Sequence, residues 1–346
     1  MAHELMFNDD GKAAMFYVNE VPWHKQGVQV NHPPTAAEAI KAAQLDWTLA
    51  KAPLFYHRSL TETAVIPDTY AVVPDEGWPN QERPILGVVS GRYEILQNQN
   101  AFAFFDPLIA KGYATYETAG ALGKGERVWV LAKLGDPFEI GKGDKIERYL
   151  LLSNRHDGHG VVNVKFTPIR VVCQNTLSMA LQDSREVFAL RHDGDLFRRI
   201  ENVADEMHER IEAQYQQIQN QFTAMHHTEI DMDQAADYFA VVYSDPAAPA
   251  SLDEAQEKRR KERLQKLERA RGCCTFILEN SERCRLGKEP ATAWSAYNAV
   301  TEFVDHWRSE GLNGRAPTIG LNGIWFGDGQ QRKLKAFNEA KALVRY

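Results

Sequence analysis

The chain has 346 residues, 44% of them apolar and 10% aromatic, so it can bury the core of one large domain or two modest ones. Its formal net charge of -7 argues against a polycation that wraps DNA but leaves room for a local basic groove. The four cysteines (Cys173, Cys273, Cys274 and Cys284) include no CxxC pair, which disfavours a disulfide-stapled secreted fold and a cysteine-built zinc site.

The first half of the chain has the pattern of short strands separated by Gly and Pro. The N-terminus lacks a signal-peptide pattern, and no apolar run approaches the roughly 20 residues that span a bilayer, so we expect a soluble cytoplasmic protein without a membrane partner. Residues rich in β-branched and aromatic side chains predict strands at MFYV, WTLAKAPLFY, TYAVV, ILGVVSGRYEIL, ERVWVLAKL, ERYLLLS and VVNVKF. We interpret residues 1–194 as an α+β core, an antiparallel meander packed on helices.

Two helices interrupt these strands. The first begins at Thr35, where Glu38 three residues later completes a capping box. The second is predicted to begin with Asn98 as its N-cap. Pro107 should kink or shorten that helix, because proline cannot donate a backbone hydrogen bond.

Residues 195–346 are mainly helical by their three- and four-residue apolar spacing. A Pro/Ala-rich linker is expected near 245–251 and a Gly-rich loop at 314–330. Pro290 predicts the start of an amphipathic helix that places Trp294, Asn298, Thr301 and Asp305 on one polar stripe. We interpret this stripe as an interhelix hydrogen-bond network in preference to a carboxylate-amide site.

The stretch RVVCQNTL, from Arg170 to Leu177, predicts a strand that ends at Cys173 and a helix capped near Asn175 or Thr176. A nucleophilic thiol needs a base, and His156 and His159 in RHDGHG are the nearest candidates. The sequence HDGH could also hold a metal ion, but its glycines indicate a turn. We therefore assign no catalytic residue, no metal ligand and no cofactor, and we favour a protein that is not an enzyme.

Basic residues are concentrated between positions 140 and 200, where ten Lys or Arg side chains stand against seven carboxylates. Lys165 is expected to share one sheet face with Asn163, and a helix start binds phosphate well. The nucleic-acid contacts predicted from this window are Lys142, Lys145, Arg148, Arg155, Lys165, Arg170, Asn175 and Thr176.

A second basic run lies at 251–271, with eight Lys or Arg against five Asp or Glu. The pattern predicts a solvated helix with i,i+4 ion pairs such as Glu262 with Lys266. The net positive charge of this run is large enough for the helix to contact phosphate groups.

Several motifs together resemble a prokaryotic family of phage/plasmid-like proteins, catalogued as a domain of unknown function. They are GKAAMFYV, VPWHKQG, GVVSGRYEILQNQNAFAFFD, SNRHDGHGVVNVKFTPIRVVCQNTL and TAWSAYNAVTEFVDHW, and together they extend over nearly the whole chain. The resemblance implies a mobile-genetic-element context and brings no catalytic residue with it. A meander followed by a helix is also similar, at the level of fold, to phage single-strand annealing proteins.

We therefore expect a homo-oligomer, in a ring or filament, that binds and anneals single-stranded DNA in recombination. One alternative is a metal- or thiol-dependent hydrolase around His156, Asp157, His159 and Cys173. The other is a host-factor-binding protein without catalytic activity.

Overall fold

A computed structural model of the protein describes residues 4–18, 25–141, 143–170, 175–176, 188–193, 196–245, 253–285, 290–308 and 320–344. Sheets occupy the N-terminal half and helices mostly the C-terminal half, so the α+β class is confirmed. The chain forms two compact units. Unit 1 comprises Met1–Asp136, Arg148–Phe166 and Asp183–Glu212, and unit 2 comprises Pro137–Glu147, Thr167–Gln182 and Ala213–Tyr346. A division of the chain at residue 194 stays a prediction.

Unit 1 is built on a seven-stranded sheet. Its order is β14 (Phe188–Leu190), β11 (Val162–Phe166), β10 (Tyr149–Arg155), β7 (Arg127–Leu134), β6 (Ala114–Leu122), β1 (Met15–Val18) and β2 (Val28–Val30). The β1–β2 pair is parallel and all the other pairs are antiparallel, so the predicted meander is confirmed. Six of the seven residues of β10 are buried, which makes this strand the centre of the core.

A second sheet of unit 1 has three antiparallel strands. They are β3 (Leu49–His57), β4 (Thr63–Pro74) and β5 (Gly87–Ser90), in that order. The predicted strand ILGVVSGRYEIL is shorter than expected, because β5 ends at Ser90 and Tyr93 lies in the following loop.

Three short helices of unit 1 contact the large sheet. They are α1 (Ala36–Ala42), α2 (Asn98–Ala103) and α3 (Asp106–Ala110), which pack on β6 or β7. The predicted capping box of α1 is confirmed, because Thr35 Oγ1 accepts from Glu38 N while the Glu38 carboxylate accepts from Thr35 N.

The helix at Asn98 differs from its prediction in one respect. Gln97 is the N-cap, and Asn98 is a buried first-turn residue whose amide donates to Leu45 O at 3.0 Å. The amide thus donates to a carbonyl that is distant in the sequence, a long-range hydrogen bond that helix-capping preferences cannot predict. Pro107 shortens the helix as predicted, since α2 ends at Ala103 and α3 begins with the proline in its first turn.

Unit 2 contains a small antiparallel sheet of two- and three-residue strands. Its order is β13 (Asn175–Thr176), β12 (Ile169–Arg170), β9 (Lys145–Glu147) and β8 (Phe138–Glu139). The predicted helix start at Asn175 or Thr176 is wrong, because these residues pair with Arg170 and Ile169 as a strand. Capping residues also favour turns, so local sequence alone did not distinguish the two structures.

The helices of unit 2 surround one buried helix, α8. They are the C-terminal part of α4 (Leu196–His226), α5 (Met232–Val242), α6 (Glu254–Asn280), α7 (Glu282–Arg285), α8 (Ala293–Glu302), a π-helical turn (Phe303–Trp307), α9 (Leu321–Phe326) and α10 (Asp328–Leu343). All ten residues of α8 are buried, against α5, α6, α7 and α10. Aromatic stacking supports this core, since the rings of Phe222 and Trp294 lie 4.6 Å apart.

Two details of these helices correct the sequence-based expectations. Thr292, in a capping box with Ser295, begins α8, and Pro290 precedes the cap. Part of the expected Gly-rich loop is helical, because α9 and α10 occupy Leu321–Phe326 and Asp328–Leu343. In the part of the chain that the structure describes, no helix combines the length and apolar character needed to cross a bilayer.

The predicted polar stripe of α8 forms a buried hydrogen-bond network. Trp294 Nε1 donates to Asp144 Oδ2 at 2.8 Å, and Lys333 Nζ donates to Asp305 Oδ1 at 2.7 Å. Asn298 donates to a carbonyl of its own helix. The stripe therefore joins the π-helical turn to α10 through Asp305 and α8 to the residue before β9 through Trp294. The interhelix prediction is confirmed for Asp305, whereas Asn298 and Thr301 donate within their own helix.

Candidate nucleic-acid interface

The predicted nucleic-acid contacts are distributed over both units. Arg148, Arg155 and Lys165 belong to unit 1, whereas Lys145, Arg170, Asn175 and Thr176 belong to unit 2. Lys142 lies outside the described residues. For Arg170, Asn175 and Thr176 the structure describes the backbone alone, so the roles of their side chains stay predictions.

Arg148 makes a salt bridge within unit 1. Its Nη1 lies 2.9 Å from both carboxylate oxygens of Glu212, and its Nε donates to Leu134 O at 3.2 Å. The Arg148 side chain is only 14% exposed. A phosphate would therefore have to displace Glu212 before it could bind this guanidinium.

Arg155 is also paired, with Asp157 two residues away. Its Nε donates to the two carboxylate oxygens of Asp157 at 3.0 and 3.1 Å. Burial raises the pKa of Asp157, but the hydrogen bonds from Arg155 and from the backbone N–H of His159 outweigh it and leave that pKa below its ordinary value. Asp157 thus keeps its negative charge and neutralises Arg155 at neutral pH.

The two lysines of the predicted set that the structure describes are in different settings. Lys145 is exposed on β9, opposite Glu139 of β8. Lys165 is half-buried on β11, where it alternates with buried neighbours and shares a face with Asn163, as predicted. Neither strand presents a cluster of exposed cations.

The HDGH turn does not bring its two histidine rings together. His156 is fully buried, with Nε2 3.3 Å from Asn98 Oδ1 and Nδ1 3.5 Å from Asn154 Nδ2. Burial lowers the pKa of His156 to about 3, with a further lowering from His192, so its ring is neutral at pH 7. His159 is exposed. Of the two bases that the hydrolase interpretation offered, His156 is therefore enclosed in the core of unit 1, and the role of His159 stays a prediction.

The thiol and metal versions of that hydrolase gain no support from the described residues. Cys173 lies outside them. Among the ranges that the structure describes, no group of three or more His, Cys, Asp or Glu side chains is arranged to hold a metal ion.

Helix α6 carries a continuous basic stretch that is exposed to solvent. We call residues 258–271 the basic segment; they contain eight Lys or Arg and two Glu, an excess of +6 in a chain whose net charge is -7. Residues 254–269 are exposed apart from two half-buried positions, 260 and 267. A helix that is polar on all sides has no apolar stripe to bury, so its charges remain available to a partner.

Three arginines on one side of the basic segment hold α6 to the end of α5. Arg260 Nε and Arg263 Nε lie 3.2 and 2.6 Å from the Asp245 carboxylate, and Arg271 donates to Tyr243 O at 3.0 Å. These contacts lower the pKa of Asp245, with the Arg263 hydrogen bond as the largest cause.

The other five cations of the basic segment form a separate face. At about 100° per residue they fall within roughly 160° of the helix circumference, away from the three arginines. We call this set the cationic face; it consists of Lys258, Arg259, Lys261, Lys266 and Arg269. Within the described structure none of them has an ion-pair partner, and the predicted pair of Glu262 with Lys266 is absent.

Sequence reasoning found the charge run of α6 but could not divide it into two faces. The division depends on Asp245, which lies 15 residues before Arg260 in the chain and has no local signal. The helical projection places the five cations on one side of α6. Only the structure shows that the end of α5 packs against the other side and leaves these five cations exposed to solvent.

The comparisons with known proteins give one match. No curated protein and no solved structure matches this chain. A family model described as a domain of unknown function (DUF932) matches residues 85–341, most of the chain. This range contains β5 to β14, α2 to α9, the basic segment and α10 as far as Lys341. The chain therefore belongs to the DUF932 family of domains of unknown function.

Proposed function

We propose that this protein binds single-stranded DNA and promotes its annealing during recombination of a mobile genetic element. The observation that carries the proposal is the cationic face of α6, five exposed Lys and Arg side chains without ion-pair partners in the described structure. Such a face attracts phosphates and releases condensed counterions, which is the main source of sequence-independent affinity.

Single strands are favoured over duplexes by the form of this face. α6 has 27 residues and is about 40 Å long, and its cationic face forms one band of about 17 Å between residues 258 and 269. A flexible single strand can follow that band and leave its bases free to pair, whereas a rigid duplex contacts it over a shorter length. Annealing in this way needs no nucleotide cofactor.

The resemblance to phage/plasmid-like proteins is the reason for proposing that the protein acts on a mobile genetic element. Annealing depends, in this proposal, on assembly of several copies of the chain. A cytoplasmic homo-oligomer, in a ring or filament, would place several cationic faces along one strand and hold it extended. The unpaired cations of α6 support this proposal better than Arg148 and Arg155, which are already neutralised by Glu212 and Asp157.

The test is a titration of nuclease-treated protein into labelled single-stranded and duplex oligonucleotides at several salt concentrations. We expect tighter binding of the single strand and a loss of affinity with salt, with a slope of about -0.7 for each phosphate contact. Addition of the complementary strand should then give faster pairing than in the absence of protein. Absence of salt-dependent binding to the single strand would overturn the proposal, and binding without faster pairing would remove the annealing step.

A further inference from the structure

A groove in unit 2 has features that the DNA-binding proposal does not use. It has a volume of about 370 Å³ and lies at the C-terminal end of α6, beside α7 and the π-helical turn. The residues that matter for its chemistry are Phe276, Asn280, Ser281, Glu282, Glu302 and Trp307.

Glu302 places a buried carboxylate in the groove. The residue is 8% exposed, and both of its carboxylate oxygens accept from Ser281 Oγ, at 3.2 and 2.9 Å. An ionised carboxylate has about four acceptor positions, so one hydroxyl leaves most of them open. No Lys or Arg in the described chain pairs with Glu302. Buried carboxylates are usually paired, so this one favours a cation from outside.

Two aromatic rings line the same groove. The rings of Phe276 and Trp307 have centroids 5.9 Å apart and an interplanar angle of 58°. Phe276 is 54% exposed, although an apolar ring of this size is usually buried. The negative faces of such rings attract ammonium groups, with tryptophan the strongest.

The helix end adds negative potential from the backbone. The last turn of α6 contributes Phe276 and Asn280 to the groove, and the C-terminus of a long helix carries a partial negative charge. Asn280 Nδ2 donates to Phe276 O at 2.9 Å, which leaves its amide oxygen as an acceptor. Glu282 provides a second, exposed carboxylate at the rim.

We propose that this groove binds a compact organic ammonium group, between the Glu302 carboxylate and the Phe276 and Trp307 rings. The combination of carboxylate, aromatic faces and helix C-terminus selects a soft organic cation over a metal ion, which needs several oxygen ligands around it. The group is supplied either by a free small amine or by a lysine side chain of another protein. This site is independent of the cationic face, which repels such ligands.

The test uses the full-length protein and calorimetric titration of four probes. Choline and n-butylammonium represent free cations. Nα-acetyl-lysine methylamide, whose side-chain ammonium group is unmodified, represents a lysine side chain. The neutral isostere of choline, 3,3-dimethyl-1-butanol, controls for apolar contact. We expect the cations to bind at least about tenfold more tightly than the neutral alcohol. Tighter binding of choline or butylammonium assigns the groove to a free amine, and tighter binding of the lysine derivative assigns it to a protein side chain.

Variants locate the site. Glu302→Gln keeps an acceptor for Ser281 and removes the charge, so it should weaken cation binding about tenfold or more. Glu279→Gln removes an equal charge at an exposed position of the same helix end and should bind as wild type does. Trp307→Leu is a second test should the Glu302 variant unfold in a melting experiment. Equal binding of the neutral alcohol, or equal affinity in the variants at 279 and 302, would overturn the proposal.

Discussion

Lys333 Nζ lies 2.7 Å from Asp305 Oδ1 in the core of unit 2, where the two side chains are 1% and 6% exposed. Burial lowers the pKa of Lys333, and the neighbouring Asp305 carboxylate opposes this shift. The pair connects α10 to the π-helical turn, a rare element whose backbone hydrogen bonds join residues five apart. A buried ion pair depends on both partners, since each alone would be an uncompensated charge.

The first prediction concerns this pair. Asp305→Asn should lower the free energy of unfolding by about 3–5 kcal/mol, because Lys333 would lose its counter-charge in the core. The matched control is Asp328→Asn, which breaks the more exposed pair with Arg308 and should cost less than about 1 kcal/mol. Denaturant unfolding of both variants measures the difference, and equal costs would contradict the role of the buried pair. The double variant Asp305→Leu with Lys333→Met should recover most of the loss.

The second prediction concerns acid stability. His156 has a pKa of about 3 in the folded chain and about 6.5 when unfolded. Between these values the unfolded chain binds the extra proton, so stability is fully present above pH 6.5 and falls as the pH drops toward 3. The loss due to His156 is on the order of 4 kcal/mol over that window.

His156→Gln removes this titration and should flatten the pH dependence of unfolding between pH 6.5 and 4, although the variant is less stable at pH 7.5. His192 keeps part of the slope, because burial lowers its pKa too. The exposed His159, changed to Gln, provides the control and should follow the wild-type curve. Parallel curves for all three proteins would show that His156 does not titrate in this window.

The third prediction compares two glycines. A Cβ at Gly87 would overlap the backbone of Asp157, which cannot move without breaking the fold around it, so Gly87→Ala should destabilise by about 1–3 kcal/mol. Gly272 lies inside α6 with nothing within 4 Å of such a Cβ. Gly272→Ala should therefore stabilise by about 0.5–1 kcal/mol. Thermal melts of the two variants should move in opposite directions, and a shared direction would refute this account of the two sites.

The fourth prediction separates the cationic face from the sheet residues first predicted as DNA contacts. Replacing Lys258, Lys266 and Arg269 with Gln should reduce the salt slope of single-strand binding by about 2, at roughly 0.7 per contact. Replacing Lys145 and Lys165 with Gln should change it little, since these lysines lie in different units. The reverse result would show that single-stranded DNA contacts the lysines of the strands and not the cationic face of α6.

Part of this structure was determined by local sequence. The capping box of Thr35 and Glu38, the helix break at Pro107 and the strands β1, β7, β10 and β11 follow from hydrogen-bonding capacity and side-chain period, which act over a few residues. The other three strands of the large sheet, β2, β6 and β14, were not predicted, because they are three residues long or contain several Ala and Gly residues. The buried stripe from Trp294 to Asp305 likewise follows from its spacing.

Contacts between distant residues decided the rest. Asn175 and Thr176 have the residue types of a helix cap but pair with β12, and Asn98 gives its amide to Leu45 instead of capping α2. The same holds for charge: the sequence by itself determined that Arg148, Arg155 and the arginines of α6 are cations. Only the tertiary structure decided that four of them form ion pairs with Glu212, Asp157 and Asp245, because an ion pair forms where the fold brings two side chains within a few ångströms.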